Sequence, residues 1–141
     1  MAGRWTRDGV VTGARRLVSS GGPYEARFGY SRAVVDGDTC WVSGTTDAGP
    51  DGTSQHPGDA AAQARASWAI IERALGDAGF ALSDVVRTRM YVVSAEDAVA
   101  VASVHGEVFG EVRPASTLLV VAALIEPTML VEVEAEARRR G

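Results

Sequence analysis

Asp84-Val85-Val86-Arg87-Thr88-Arg89-Met90-Tyr91-Val92-Val93, residues 84–93, run straight into Ser94-Ala95-Glu96-Asp97, and this junction decides the architecture. The first ten residues are rich in β-branched side chains and read as a strand. Alternation puts Val86, Thr88, Met90 and Val92 on one side and Val85, Arg87, Arg89, Tyr91 and Val93 on the other. Ser94 to Asp97 has the form of a capping box. It opens a short amphipathic helix through Val101, Val104, Val108 and Phe109, which Gly110 ends. A strand handing directly to a helix is the alternation of an α/β protein.

The same alternation extends both ways from this junction. Upstream, Ala64, Trp68, Ile71, Leu75 and Ala78 recur at spacings of three and four, which predicts a helix over 59–78 closed by Gly76 and Gly79. Before it, residues 45–58 are rich in Gly, Asp, Thr, Ser and Pro and read as a surface loop holding a solvated His56. Two β-rich runs, 31–35 and 39–44, flank Asp36-Gly37-Asp38, a hairpin signal. Arg15 to Ser19 reads as a short strand stopped by Ser20-Gly21-Gly22-Pro23, with Tyr24 directly after that turn. Residues 1–14 read as an irregular N-terminal segment.

Downstream, residues 118–124 form a continuous apolar run, the mark of a strand covered on both faces. Residues 130–137 alternate Val131, Val133 and Ala135 against Glu132, Glu134 and Glu136. The order ββ(β)αβαββ predicts an α/β sandwich: a mixed sheet with two helices on one face. A chain of 141 residues with 46% hydrophobic composition suits one such domain, 1–141.

Composition removes several classes of function. A net charge of −4 argues against a nucleic-acid surface. All 14 basic residues are Arg, so no lysine is available for Schiff-base chemistry, for anchoring pyridoxal phosphate or for a Walker-type phosphate loop. His56 and His105 lie far apart with no metal-ligand spacing near either, so neither a metal nor a cofactor is expected. Cys40, the one cysteine, lies in the apolar stretch Thr39-Cys40-Trp41-Val42 and reads as a core residue. No apolar run is long enough to span a membrane and no signal-peptide core follows Met1, so a cytoplasmic location is expected.

Chemistry concentrates on the last strand. Three carboxylates at period two on one face repel one another unless they meet water or cations. Either this is an edge strand facing solvent, or the face turns to a subunit interface where Arg87 and Arg89 supply partners and Glu132 lines a wet cleft. The apolar run 118–124 favours an oligomer, because its second face needs a cover.

Taken together, Gly22-Pro23-Tyr24, Val42-Ser43-Gly44, Ala78-Gly79, Asp84-Val85-Val86-Arg87-Thr88, Arg113-Pro114-Ala115-Ser116-Thr117 and Val131-Glu132-Val133-Glu134-Ala135 resemble the RidA (YjgF-type) family over about residues 20–139. The resemblance implies a chorismate-mutase-like fold and a homotrimer with three clefts between subunits. It also implies hydrolysis of 2-imino or 2-enamino acids to 2-oxo acids and ammonia. By resemblance Glu132 positions or activates water, and Tyr24 and Ser43 match family positions. The family arginine of Pro-Ala-Arg, which grips the substrate carboxylate, is Ser116 here; a helix asparagine is Ala102, and a cysteine is Leu118.

Serine for arginine replaces a bidentate ionic contact by one neutral hydrogen bond, a loss of about 2–4 kcal/mol of binding. Arg89 is the candidate replacement, unless it serves a structural pair with Glu132 or Glu134. His105 stands where the family has a tyrosine and has a side chain suited to proton transfer near neutrality, or to packing. The sequence thus leads to Glu132 and His105 as catalytic candidates, with Tyr24, Ser43, Arg89, Ser116 and Thr117 as binding candidates. The expected activity is hydrolysis or tautomerisation of a small imine or enamine. The alternative is a non-catalytic trimer that binds a metabolite or regulates a partner through the same cleft.

Overall fold

The structure, a computed structural model, describes residues 4–6, 9–12 and 15–140, with side chains from residue 15 onward. Eight strands make one mixed sheet: β1 (Arg4–Thr6), β2 (Gly9–Thr12), β3 (Arg15–Val18), β4 (Ala33–Asp36), β5 (Thr39–Thr45), β6 (Val85–Val92), β7 (Ala115–Val120) and β8 (Val131–Arg138). Their order is β1-β2-β3-β4-β5-β8-β6-β7, antiparallel except for the β6–β7 pair. The helices are α1 (Pro23–Phe28), α2 (Ala60–Ala78) and α3 (Ala98–Phe109).

The α2 periodicity holds: Ala64, Trp68, Ile71, Leu75 and Ala78 are all buried. They meet Val131, Val133, Ala135 and Ala137 of β8 in one core. Asp59 caps the helix by accepting the Ala62 N–H at 3.0 Å. The β4–β5 hairpin turns at Gly37, whose φ of +60° suits glycine. Cys40 is fully buried, and burial pushes its thiol up to about 11.

Several expectations change. Residues 4–6 and 9–12 are not irregular: they pair Arg4 with Val11 and Thr6 with Gly9, and Thr12 with Arg15 of β3. The β3 edge offers unpaired backbone groups, and the β-branched run Val10-Val11-Thr12 suits pairing with it. Tyr24 sits in a third, short helix that begins at Pro23 and ends at the left-handed Gly29.

Along β6 a bulge between Val85 and Arg87 reverses the early alternation, so Val85 is buried with Thr88, Met90 and Val92 while Val86 is exposed. The apolar run 118–124 is not one covered strand. Strand β7 starts earlier, at Ala115, ends at Val120 and lies at the sheet edge, with Leu119 50% and Val120 55% exposed. Strand β8 lies between β5 and β6, which removes the edge-strand reading of its glutamates. Near the C-terminal end of the described chain the Arg139 guanidinium stacks over Phe80, 4.3 Å from the ring centre.

Candidate functional site

Since Val131, Val133 and Ala135 point to the helices, Glu132, Glu134 and Glu136 must point to the other, outer face of the sheet. Glu132 stands where β8 begins, beside the end of β5. Its carboxylate lies across Gly44: a Cβ added there would come within 3.1 Å of Glu132 Cδ. Glycine therefore makes room for the acid. Among the described residues Glu132 has no hydrogen-bond or ion-pair partner, and burial holds its pKa above the usual 4.5 despite the opposing pull of Arg32.

Arg32, between α1 and β4, is the residue that sequence reasoning missed. Its Nη2 donates to the Gly44 carbonyl at 2.6 Å, while Nε is buried with no acceptor. Burial lowers its pKa; Glu25, Tyr30 and Glu132 raise it again electrostatically. Glu25 is committed elsewhere: it is buried and accepts from Ser19 Oγ at 2.9 Å and from Ser20. Gly44 thus holds two charges at once, Arg32 through its carbonyl and Glu132 over its Cα. A signal existed in the sequence, since Arg32 lies in register two residues after Tyr30 at the head of a strand, but no motif marks it.

The other candidates separate. Ser43 Oγ donates to the Ser31 carbonyl at 2.6 Å, tying β5 to the chain entering β4. Tyr24 stacks on Phe28 with ring centres 5.9 Å apart, and its hydroxyl reaches toward Gly52. It is Tyr30, not Tyr24, that acts on Arg32. Arg89 does not serve Glu132: it forms an ion pair with Glu136 at 2.9 Å, and β8 pairs Tyr91, not Arg89, with Glu132. Ser43 and Arg89 share a hollow of about 200 Å³ on the outer face with Val34, Trp41, Glu134 and Glu136. Thr117 accepts from Arg87 Nη2 at 2.7 Å.

His105 lies in the layer between helix and sheet, against Trp68 and Phe109. Its Nε2 is 2.8 Å from Thr88 Oγ1, and that hydroxyl is 2.8 Å from Ser116 Oγ. Burial lowers the His105 pKa, so the ring is neutral at neutral pH. Thr88 is buried and Ser116 exposed, so a chain of hydroxyls links the ring to the surface. His105 and Ser116 thus belong to the helix face and Glu132 to the outer face of the same sheet.

The loop 45–58 is more ordered than its composition implied. Asp47 within it is fully buried and accepts from Ser54 Oγ at 2.8 Å and from the His56 backbone at 3.1 Å. His56 Nδ1 lies 3.1 Å from the same carboxylate oxygen, so this histidine is a partner and not merely solvated. Buried Gln63 then ties the loop to α2 through the His56 carbonyl at 3.2 Å. Among the described residues no group of three or more His, Cys, Asp or Glu could hold a metal. No helix there is long and apolar enough to cross a membrane.

The family model for Endoribonuclease L-PSP matches residues 23–139. The chain belongs to the YjgF/RidA family. A solved member of that family, Rv2704 of Mycobacterium tuberculosis, is 46% identical with a TM-score of 0.80, over 89% of this chain and 99% of that one. The 3-aminoacrylate deaminase RutC of Acinetobacter baylyi is 32% identical over 77% of this chain and 85% of that protein. An uncharacterized protein of Streptomyces coelicolor is 40% identical over 92% of this chain and 96% of that one. RidA-type mixed α/β architecture is therefore shown.

Proposed function

We propose that this RidA-family protein hydrolyses a small imine or enamine to a carbonyl compound and ammonia, with Glu132 as the proton-handling group. The observation that carries the reading is the Glu132 carboxylate, half-buried with a raised pKa and without a partner among the described residues. Such a group can take a proton from water as it attacks the C=N carbon and return one to the departing nitrogen. The similarity to a 3-aminoacrylate deaminase supports an enamine as substrate. The family model's description names an endoribonuclease, but Glu132, Glu134 and Glu136 on one face would repel phosphates.

A site using both Glu132 and Ser116 has to form between copies, because one sheet cannot bring its two faces together. Three copies, each giving an outer face to a neighbour's β7 edge, would complete three clefts. Exposed Trp41, Leu119 and Val120 offer apolar area for that contact.

Ammonia release from freshly generated 2-imino acids and from uncharged imines tests the reaction. Wild type is expected to exceed buffer, and Glu132→Gln to lose about 100-fold or more of that acceleration. No acceleration over buffer on either class ends the hydrolase reading. Saturable binding of small metabolites without turnover would then favour the non-catalytic trimer.

A further inference from the structure

Among the described residues Arg32, a half-buried guanidinium, has no ion-pair partner. Three oxygen acids surround it, Glu25, Tyr30 and Glu132, yet among the described residues none of its nitrogens lies within 4.0 Å of a carboxylate oxygen. One donor is satisfied by the Gly44 carbonyl, and Nε has no acceptor. Burying a cation without a directly bonded counter-charge is costly, and native chains seldom leave it so without a use. The hydrogen bond to Gly44 fixes the plane of the fork, and a fixed fork is what a planar anion needs.

We infer that Arg32 is the anion anchor of this site, binding the carboxylate of a small substrate beside Glu132. This deepens the hydrolase reading and rests on it for the word substrate, though the binding itself does not depend on turnover. Gly44 sets the spacing. Its carbonyl orients Arg32 and its missing side chain admits Glu132, so an acid bound on the guanidinium lies at the same glycine as the Glu132 carboxylate. A neutral Ser116 is then understandable: the charge that grips the ligand comes from the sheet's outer face, not from β7. Arg89, locked to Glu136, takes no part.

Sodium 2-oxobutanoate, a stable acid of the product type, is the probe, with 2-butanone as its uncharged counterpart. Titration of the full chain is followed on the arginine Nε–H resonances. Wild type is expected to saturate with the acid and not the ketone, shifting one Nε–H signal that is missing from Arg32→Gln. Arg32→Gln should bind at least tenfold more weakly, about 1.4 kcal/mol, and Arg89→Gln as wild type. Arg32→Lys keeps the charge but not the fork, and should fold and bind several-fold more weakly.

Three results would overturn the inference: equal binding by Arg32→Gln, loss of binding in Arg89→Gln, or no saturation of wild type by about 10 mM acid. Acid binding at Arg32 without ammonia release would end the hydrolase reading and leave the anchor standing. Ammonia release with kcat/KM unchanged in Arg32→Gln would do the reverse.

Discussion

Arg89 is held by Glu136 at 2.9 Å, whereas Arg32 bonds a backbone carbonyl and, among the described residues, no acid. Both are arginines on or beside a strand, and sequence spacing singled out Arg89 because it reports faces, not which acid lies opposite. His105 carries a testable consequence of the same kind. Its neutral ring sits between Trp68 and Phe109 and touches Thr88. Its folded pKa is below the ordinary 6.5, so folding contributes most above that value. As pH falls through 6.5 toward the folded pKa, the unfolded chain takes up the proton first and stability declines. Urea unfolding at a series of pH values should show this loss in wild type. His105→Gln should be flatter over the same range, and an identical slope would remove His105 as its source.

At the scale of elements, α2 and β8 were legible because their patterns are long and their burial one-sided. Four turns of α2 bury one stripe, and eight residues of β8 bury every second side chain. The short elements were not: α1 has six residues, too few for a period to emerge, and depends on Pro23 and Gly29 to begin and end it. The β6 bulge was equally hidden, since one inserted residue leaves composition unchanged while turning Val86 outward. Asp59 is the local signal that does fix a boundary. Asp59→Ala leaves the Ala62 N–H without its acceptor and should cost about 1 kcal/mol, a fall of roughly 3–5 °C in Tm by thermal unfolding. An unchanged Tm would mean that water replaces the cap at no cost.

Across the whole molecule, the two sheet faces divide the work. The helix face is core, and the outer face mixes acids, arginines and exposed aromatic and aliphatic groups. A trimer of the 14.7 kDa chain is the expected species by native mass spectrometry. Leu119→Arg, placing a charge on the exposed edge strand, should shift the mass toward monomer and abolish any ammonia release with it. A monomeric wild type, or a monomeric variant with full activity, would exclude a site between copies.

By itself the sequence determined the class of fold and put Glu132 forward as the candidate acid. Periodicity in α2 and β8 and the Asp36-Gly37 turn are local, and Glu132 followed from alternation together with family resemblance. Only tertiary structure decided which arginine comes near that acid. Arg32 and Glu132 are 100 residues apart in the chain, and each reaches Gly44 because β5 pairs with both β4 and β8. Packing of α3 on the helix face likewise set His105 against Thr88, across the sheet from Glu132. Such relations depend on strand order and register, which are settled by burial of the whole sheet and not by any stretch of residues read alone.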